Sequence, residues 1–203
     1  MRSHYAITSK IHYYKPPCEV DLLPGLHPRL RVTPFGTPGQ KAFDVSRWKD
    51  APHLALANLR DEPEAVLRFT RTYGVPRQGQ NRWPWKARTV PVRDVLDLRD
   101  FLQRAWEGDT DNFFAVAFGK TSLLVQPTWM GLFVDDPWTL VLIMFAQDWA
   151  EKRLKKCGNP DCPAPYFCAV RRGQKFCSQK CGVLINVRRF RQREAKGSKK
   201  GGK

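Results

Sequence analysis

Residues 157–181 read CGNPDCPAPYFCAVRRGQKFCSQKC, a stretch with a close pair of cysteines at each end. The pairs are Cys157 with Cys162 and Cys177 with Cys181, and fourteen residues separate them. A separation of that length allows a short β-hairpin to bring one pair back beside the other. Two short-spaced pairs joined by a longer loop are typical of tetrahedral Zn²⁺ sites. The sequence therefore predicts one structural zinc ion held by four thiolates.

The residues around the cysteines predict a hairpin followed by a helix. We expect strands over Tyr166–Val170 and Lys175–Phe176, joined by a turn at Arg171–Gln174, and a helix over Gly182–Arg193. Because so few apolar residues cannot offset the entropy of ordering the chain, zinc must supply much of the folding free energy. One side of the helix is apolar at helical spacing. We expect it to pack on the hairpin through Val183, Leu184, Val187 and Phe190.

Positive charge is concentrated in the same part of the chain. Of the 35 Lys and Arg residues, sixteen lie from Glu151 onward, against three of the 19 acids, so this segment carries most of the net charge of +16. Such a cluster is typical of a surface that binds a polyanion, and a tail that only improves solubility is the alternative. Arginine suits phosphate and guanine because its guanidinium donates two parallel hydrogen bonds. The predicted nucleic-acid contacts, most of them to phosphate, are Arg171, Arg172, Lys175, Arg188, Arg189, Arg191 and Arg193.

Residues 1–150 predict a mixed domain of helices and antiparallel strands. Residues 1–40 are expected to be irregular, because prolines and glycines interrupt every apolar run. At most, short strands are expected near Leu30–Thr33 and Phe43–Val45. Helix start and stop signals, amphipathic spacing and a long apolar run predict three helices, over Glu62–Tyr73, Pro91–Glu107 and Pro137–Lys155.

Three β-rich runs lie between the second and third predicted helices. They cover Phe113–Phe118, Ser122–Gln126 and Trp129–Val134, and their short connections predict an antiparallel meander. The fold class is therefore α+β, with an N-terminal domain over residues 1–150 and a small four-cysteine finger over residues 151–194. Residues 195–203 are expected to form a disordered basic tail.

Three segments of the finger resemble the CGNR zinc-finger family: RLKKCGNPDCPAPYF at 153–167, KFCSQKCG at 175–182 and NVRRFRQR at 186–193. Members of this family usually carry an N-terminal ABATE domain. Residues 1–150, with LALANLR at 54–60, resemble a divergent ABATE domain in layout. The resemblance implies Zn²⁺ on the four cysteines and a bacterial transcription regulator that binds double-stranded DNA. One departure is that Val183 and Leu184 stand where the family's Asn-Arg follows the last Cys-Gly.

The remaining cysteines have no assigned role in metal binding. Cys168 lies between the two pairs, and a small apolar side chain in the hairpin is the favoured interpretation because free cysteine is usually buried. A spare zinc ligand and a redox-responsive thiol are the alternatives. Cys18 lies in a proline-rich segment and carries no prediction.

Other features bear on the class of function and on location. The chain lacks a signal peptide and an apolar run long enough for a bilayer, so we expect a cytoplasmic, nucleoid-associated protein without membrane partners. We expect no enzyme, because no catalytic motif is present and four thiolates leave zinc no open position. The predicted function is DNA binding in transcription regulation, with an N-terminal sensing or assembly domain whose ligand is unknown. The alternative is a non-specific RNA-binding or ribosome-associated zinc protein.

Overall fold

The computed structural model describes residues 10–14, 18–23, 25–34, 42–44, 51–75, 88–110, 131–134 and 137–198. Contacts within the chain divide it into an N-terminal unit, Met1–Gln147, and a C-terminal unit, Asp148–Lys203. Both units combine helices with antiparallel strand pairs, which confirms the α+β class. Among the helices that the structure describes, none has the length and apolar character needed to cross a bilayer.

The first sheet of the N-terminal unit has β1 (Lys10–Tyr14) at its centre. This strand pairs antiparallel with β4 (Ala42–Asp44) and parallel with β6 (Gly131–Val134). The strand predicted near Phe43–Val45 is thus confirmed as β4, and β6 lies inside the last predicted meander run. The other two meander runs, 113–118 and 122–126, lie outside the described residues.

The second sheet places β3 (Arg29–Pro34) between β2 (Cys18–Leu23) and β5 (Arg88–Pro91), antiparallel to both. Strand β3 was expected, but the general expectation of an irregular structure over residues 1–40 is wrong. Proline did not prevent strands here because it lies at their ends. Pro34 is the last residue of β3, where a missing N–H costs no hydrogen bond inside the ladder.

Three helices of the N-terminal unit precede the long apolar helix, and the first of them was not predicted. They are α1 (Pro52–Ala57), α2 (Pro63–Tyr73) and α3 (Val92–Trp106). The bounds predicted for α2 and α3 are confirmed to within one residue. Helix α2 begins with Pro63, which needs no N–H partner there, and ends before Gly74, whose φ of 91° suits glycine.

The N-terminal core is built largely on α3 and on the fourth helix, α4 (Pro137–Ala150). Helix α4 is apolar on nearly all sides in its first half, as expected of a central helix. The Trp106 and Phe145 rings meet edge to face with centroids 5.6 Å apart. The largest fully buried side chains of this unit include Phe145, Leu30, Leu56, Leu102, Leu140 and Leu142.

One buried arginine joins α3 to the loop between α1 and α2. The Arg99 guanidinium donates to the Leu59 carbonyl oxygen at 3.0 Å and to Asp100 at 2.6 Å, and it also pairs with Asp61. These bonds satisfy a charged side chain that is 9% exposed, as burial of a guanidinium requires. The arginine therefore fixes the loop that separates the first two helices.

Helix α4 ends earlier than the predicted residue, Lys155. The Arg153 N–H donates to the Asp148 carbonyl at 2.9 Å, and the Lys152 N–H donates to the Trp149 carbonyl at 2.9 Å. Lys152 has a φ of 58°, so these bonds form a Schellman termination with a left-handed lysine. The residues that follow leave the helix and form a strand.

Beyond the end of α4, the described residues of the C-terminal unit form one strand pair and one helix. Strand β7 (Leu154–Lys156) pairs antiparallel with β8 (Tyr166–Cys168), so the residues between them form the loop that carries the first cysteine pair. The predicted hairpin between Tyr166–Val170 and Lys175–Phe176 is therefore wrong. Residues 175–176 are not in a strand. The strand that pairs with β8 is instead β7, which lies in the basic stretch before Cys157 that was predicted to be the end of a helix.

The last helix, α5 (Gln179–Ser198), is longer than the predicted Gly182–Arg193. Its backbone extends through residues 195–198, which corrects the predicted start of the disordered tail, and residues 199–203 lie outside the described residues. Glu194, Ala195 and Lys196 are strong helix formers, which explains the extension. The side of α5 that is buried also differs from the prediction. Ile185 is buried, whereas the four apolar residues expected to pack inward are exposed.

Candidate metal centre and basic surface

The C-terminal unit brings the four predicted cysteines together. The Sγ atoms of Cys157, Cys162, Cys177 and Cys181 all lie within 4.8 Å of one another. Cys162 Sγ lies 3.5 Å from Cys177 Sγ and 3.8 Å from Cys181 Sγ. Zinc–sulfur bonds of about 2.3 Å in a tetrahedron place neighbouring sulfurs about 3.8 Å apart. These separations fit one zinc ion and are much longer than a disulfide bond of about 2 Å.

Backbone hydrogen bonds shape the loop that carries the first cysteine pair. The Cys157 N–H donates to the Pro165 carbonyl at 2.7 Å, and the Cys162 N–H donates to the Asn159 carbonyl at 3.1 Å. The first bond closes the loop next to the β7–β8 pair. The second bond turns the chain between the two ligands. Both sulfurs of this pair are therefore presented from a loop held at its base and at its tip.

Asn159 connects this loop to the second cysteine pair. Its side chain is buried, and its Nδ2 donates to Cys181 Sγ at 3.5 Å. The same side chain accepts a hydrogen bond from the Asp161 N–H at 3.3 Å through Oδ1. A donor to a ligating sulfur stabilises the thiolate and orients it. This role of Asn159 was not predicted, although Asn-Pro-Asp between two ligands is a turn signal.

Ser178 positions the last ligand at the start of α5. It occupies the N-cap position, and its Oγ accepts a hydrogen bond from the Cys181 N–H at 3.3 Å. An N-cap serine satisfies one of the free N–H groups of the first helical turn. The cap fixes where α5 begins, and the ligand lies in the first turn. The cap was not predicted, and a serine three residues before a ligating cysteine is its sequence signal.

A glycine lets the two cysteine-bearing segments approach each other. The Gly158 N–H donates to the Lys175 carbonyl at 2.8 Å. A Cβ on Gly158 would lie 3.2 Å from Phe176 Cε1 and 3.3 Å from the Lys175 oxygen, closer than ordinary van der Waals contact. The Phe176 ring also lies close to Gly182. A single aromatic ring is thus packed between backbone from both halves of the metal site.

The ligand sulfurs form much of the core of this unit. The buried cluster consists of Cys157, Phe167, Ala169 and Cys181, with Cys162, Phe176 and Cys177 packed against it. Because four of these seven residues are metal ligands, the core depends on whatever holds the sulfurs together. Burial raises the pKa of Cys177 to about 12, whereas hydrogen bonding with Asn159 and Ser178 lowers the pKa of Cys181 to about 7. Zinc must therefore displace protons from these thiols when it binds, and only then can the four sulfurs form the core of the unit.

Cys168 lies outside the four-sulfur cluster and has its own polar partner. Its thiol donates to the Asp148 carboxylate at 2.7 Å, and Arg153 Nε donates to the same carboxylate at 2.9 Å. Burial, then the hydrogen bond to Asp148, raise the pKa of Cys168 well above its ordinary value. A protonated thiol is a poor nucleophile and a poor metal ligand. In this structure Cys168 is a hydrogen-bond donor to Asp148 at the end of α4.

The predicted nucleic-acid contacts are all exposed in the C-terminal unit. Three lie around the turn after β8, which the Gln174 side chain closes by accepting from the Val170 N–H at 3.0 Å and donating to the Phe176 carbonyl at 2.9 Å. The other four lie on α5, and Arg188 pairs with Asp161. The exposed side chains are Arg171, Arg172, Lys175, Arg188, Arg189, Arg191 and Arg193.

The geometry of the four cysteines has a counterpart among known protein families. Residues 153–194 match the family model of the CGNR zinc finger. The finger is therefore CGNR-like in sequence and carries a four-cysteine cluster that fits one structural zinc ion. The likeness of residues 1–150 to an ABATE domain stays a prediction. No curated protein and no solved structure matches the chain.

Proposed function

We propose that the C-terminal unit is a zinc-dependent module that binds double-stranded DNA and that the protein regulates transcription. The observation that carries the proposal is the exposure of all seven predicted basic contacts beside a metal-organised core. The match to the CGNR zinc finger supports the metal-dependent part. The N-terminal unit would then sense a signal or mediate assembly.

Charge supports a polyanion as the partner. The described acids of this unit that lie beyond its first strand are Asp161 and Glu194, and Asp161 already pairs with Arg188. Clustered guanidinium groups release condensed counterions when they meet phosphate, which provides affinity without sequence preference. Contacts to base edges must supply any selectivity. Phosphate contact is thus assigned to most of the basic side chains.

The metal has a structural role in this proposal. Four thiolates complete a tetrahedral zinc shell and leave no position for water or substrate. Zinc supplies folding free energy to the module. The negative charge of the thiolates is shared among the four sulfurs. The cysteines hold α5 and the turn around Gly173 in one arrangement, so that the basic residues on both reach one nucleic-acid backbone. We therefore propose a binding protein and no catalytic activity.

The salt dependence of DNA binding tests the proposal. We expect the double substitution Arg191→Ala with Arg193→Ala to flatten the plot of log affinity against log salt by about two units, one for each lost phosphate contact. Arg68→Ala, an exposed arginine on α2, is the matched control and should leave the slope unchanged. Fluorescence anisotropy of a labelled duplex measures both. An unchanged slope in the double variant would remove α5 from the binding surface.

Selection from random duplex DNA tests the regulatory part. The zinc-loaded chain should enrich a defined motif at physiological salt, and Cys181→Ser should abolish enrichment because the module loses a ligand. Binding without enrichment would contradict a site-specific regulator. Tighter binding to RNA than to the same sequence as duplex DNA would favour the RNA-binding alternative.

A further inference from the structure

Helix α5 carries an apolar surface that no described part of the chain covers. Val183, Leu184, Val187 and Phe190 are 52%, 43%, 41% and 60% exposed, respectively. Their spacing places them on one side of the helix, and we refer to them as the α5 apolar stripe. The opposite side carries Cys181 and the buried Ile185, so the metal site holds the helix with this stripe outward.

Cations lie on both edges of the stripe. With 100° between successive residues, Arg191 lies about 50° from the centre of the stripe in one direction, beside Leu184, and Arg193 about 110° in the other. Both are exposed. Arg189 lies further round on the side of Arg193. The helix therefore presents an apolar centre between two cationic edges, and Glu194 marks its C-terminal limit.

We infer that the α5 apolar stripe contacts thymine methyl groups in the major groove of B-DNA, while Arg191 and Arg193 contact the phosphates of the two groove walls. The inference rests on the proposed DNA-binding function and names the feature of DNA that the helix recognises. The major groove admits a helix, and the thymine C5-methyl is the apolar group that it offers. From Val183 to Phe190 the helix rises about 10 Å, close to three base pairs.

The same features disfavour other occupants of the surface. A second copy of α5 would bring arginines against arginines, which costs free energy. Single-stranded nucleic acid calls for flat rings that stack on bases, and three of the four stripe residues are aliphatic. Duplex RNA has a deep, narrow major groove, and its uracil lacks the methyl group. B-form DNA meets both the apolar and the cationic requirements.

Replacing thymine by deoxyuridine tests this contact directly. The zinc-loaded full chain is titrated with a duplex of alternating A·T pairs and with the same duplex containing deoxyuridine, which lacks only the methyl group. We expect the affinity to fall about fourfold for each methyl group that the stripe covers. The slope against salt should not change, because phosphate contacts remain. A G·C duplex should gain affinity when its cytosines carry a 5-methyl group.

Truncating the stripe supplies the second half of the test. The triple substitution Val183→Ala, Val187→Ala and Phe190→Ala leaves only Leu184 of the stripe, so it should reduce the preference for thymine over deoxyuridine, with an unchanged slope against salt. One zinc per chain verifies that the triple variant folds. Leu26→Ala removes an exposed apolar side chain from the N-terminal unit and should retain the preference for thymine.

The outcomes separate this inference from the proposed function. Equal binding of the two duplexes by the wild-type chain, with a steep salt slope, would overturn the inference and leave DNA binding in place. Salt-independent or undetectable binding would overturn both. A wild-type dimer that the triple variant converts to a monomer would assign the stripe to a second copy and overturn the inference. Wild-type binding to an acidic amphipathic helical peptide that the triple variant loses, without a preference for thymine, would likewise reject it in favour of a protein partner.

Discussion

At the scale of single residues, the metal site depends on side chains that do not bind the metal. Asn159 donates to the Cys181 sulfur from a buried position, and Ser178 caps the helix that carries the same ligand. Gly158 leaves room for Phe176 between the two cysteine-bearing segments. Each of these residues constrains the geometry of a thiolate. Their loss should therefore change zinc affinity even though all four ligands remain.

Asn159→Ala is expected to weaken zinc binding about 10- to 100-fold, the usual effect of losing a partner that orients a ligand. The substitution removes the donor to Cys181 and raises the pKa of that thiol toward its ordinary value, so protons compete better with zinc. Competition with a chromophoric chelator measures the affinity. Asn186→Ala, at an exposed position on α5, is the matched control. Equal affinities of Asn159→Ala and wild type would exclude a role for the donor.

At the scale of elements, the end of α4 decides how the C-terminal unit begins. Two carbonyl groups at this end accept the bonds that terminate the helix, and the chain then reverses into β7. The termination requires a left-handed residue, and this position holds Lys152 with a φ of 58°. A side chain in that conformation costs about 1 kcal/mol relative to glycine. The sequence carries no glycine here, which explains why the predicted helix ran on to Lys155.

Lys152→Gly is expected to stabilise the protein against unfolding by up to about 1 kcal/mol, because glycine adopts the required conformation without steric cost. Lys152→Val should destabilise it, since a β-branched side chain tolerates a positive φ poorly. Chemical denaturation of the zinc-loaded chain measures both. Lys155→Gly serves as the control, because that residue lies in strand β7, where glycine is unfavourable. If Lys152→Gly destabilised as much as Lys155→Gly, the proposed termination would be wrong.

At the scale of the whole molecule, the two units differ in what holds them together. The N-terminal unit has a large apolar core that includes Phe145, Leu56 and Leu102. The C-terminal core consists mostly of cysteine ligands and a few apolar residues. Folding of the second unit should therefore depend on zinc, whereas the first unit should not. Their stabilities are expected to respond separately to metal removal.

Removing zinc from the full chain with a chelator should unfold the C-terminal unit and leave the N-terminal unit folded. Limited trypsin digestion followed by mass spectrometry should show rapid cleavage at Arg171, Arg172 and Arg188 and continued protection of Arg99. Lowering the pH should likewise unfold the C-terminal unit. Thiolates bind zinc and thiols do not, so zinc affinity falls as the pH is lowered and protons return to the sulfurs. Continued protection of Arg188 after complete metal removal would contradict this dependence.

Local chemistry explains what could be predicted from the chain. Two cysteine pairs, each with only a few residues between its two members, specify a zinc site once the backbone brings the pairs together, because ligand type and local spacing carry the information. The helices α2 and α3 were predicted for the same reason, since their caps and periodicity lie within each segment. The positive charge of the last quarter of the chain is likewise a property of composition.

Tertiary contacts decided the rest. Strand pairing joins residues that are distant along the chain, so β1 with β6 and β7 with β8 were not evident from local patterns. The direction of the α5 apolar stripe depended on which side of the helix the cysteines hold. By itself the sequence determined the zinc ligands and the charge. Only the folded unit decided that Ile185 is buried and Val187 exposed, because the cysteine ligands fix which side of α5 faces inward.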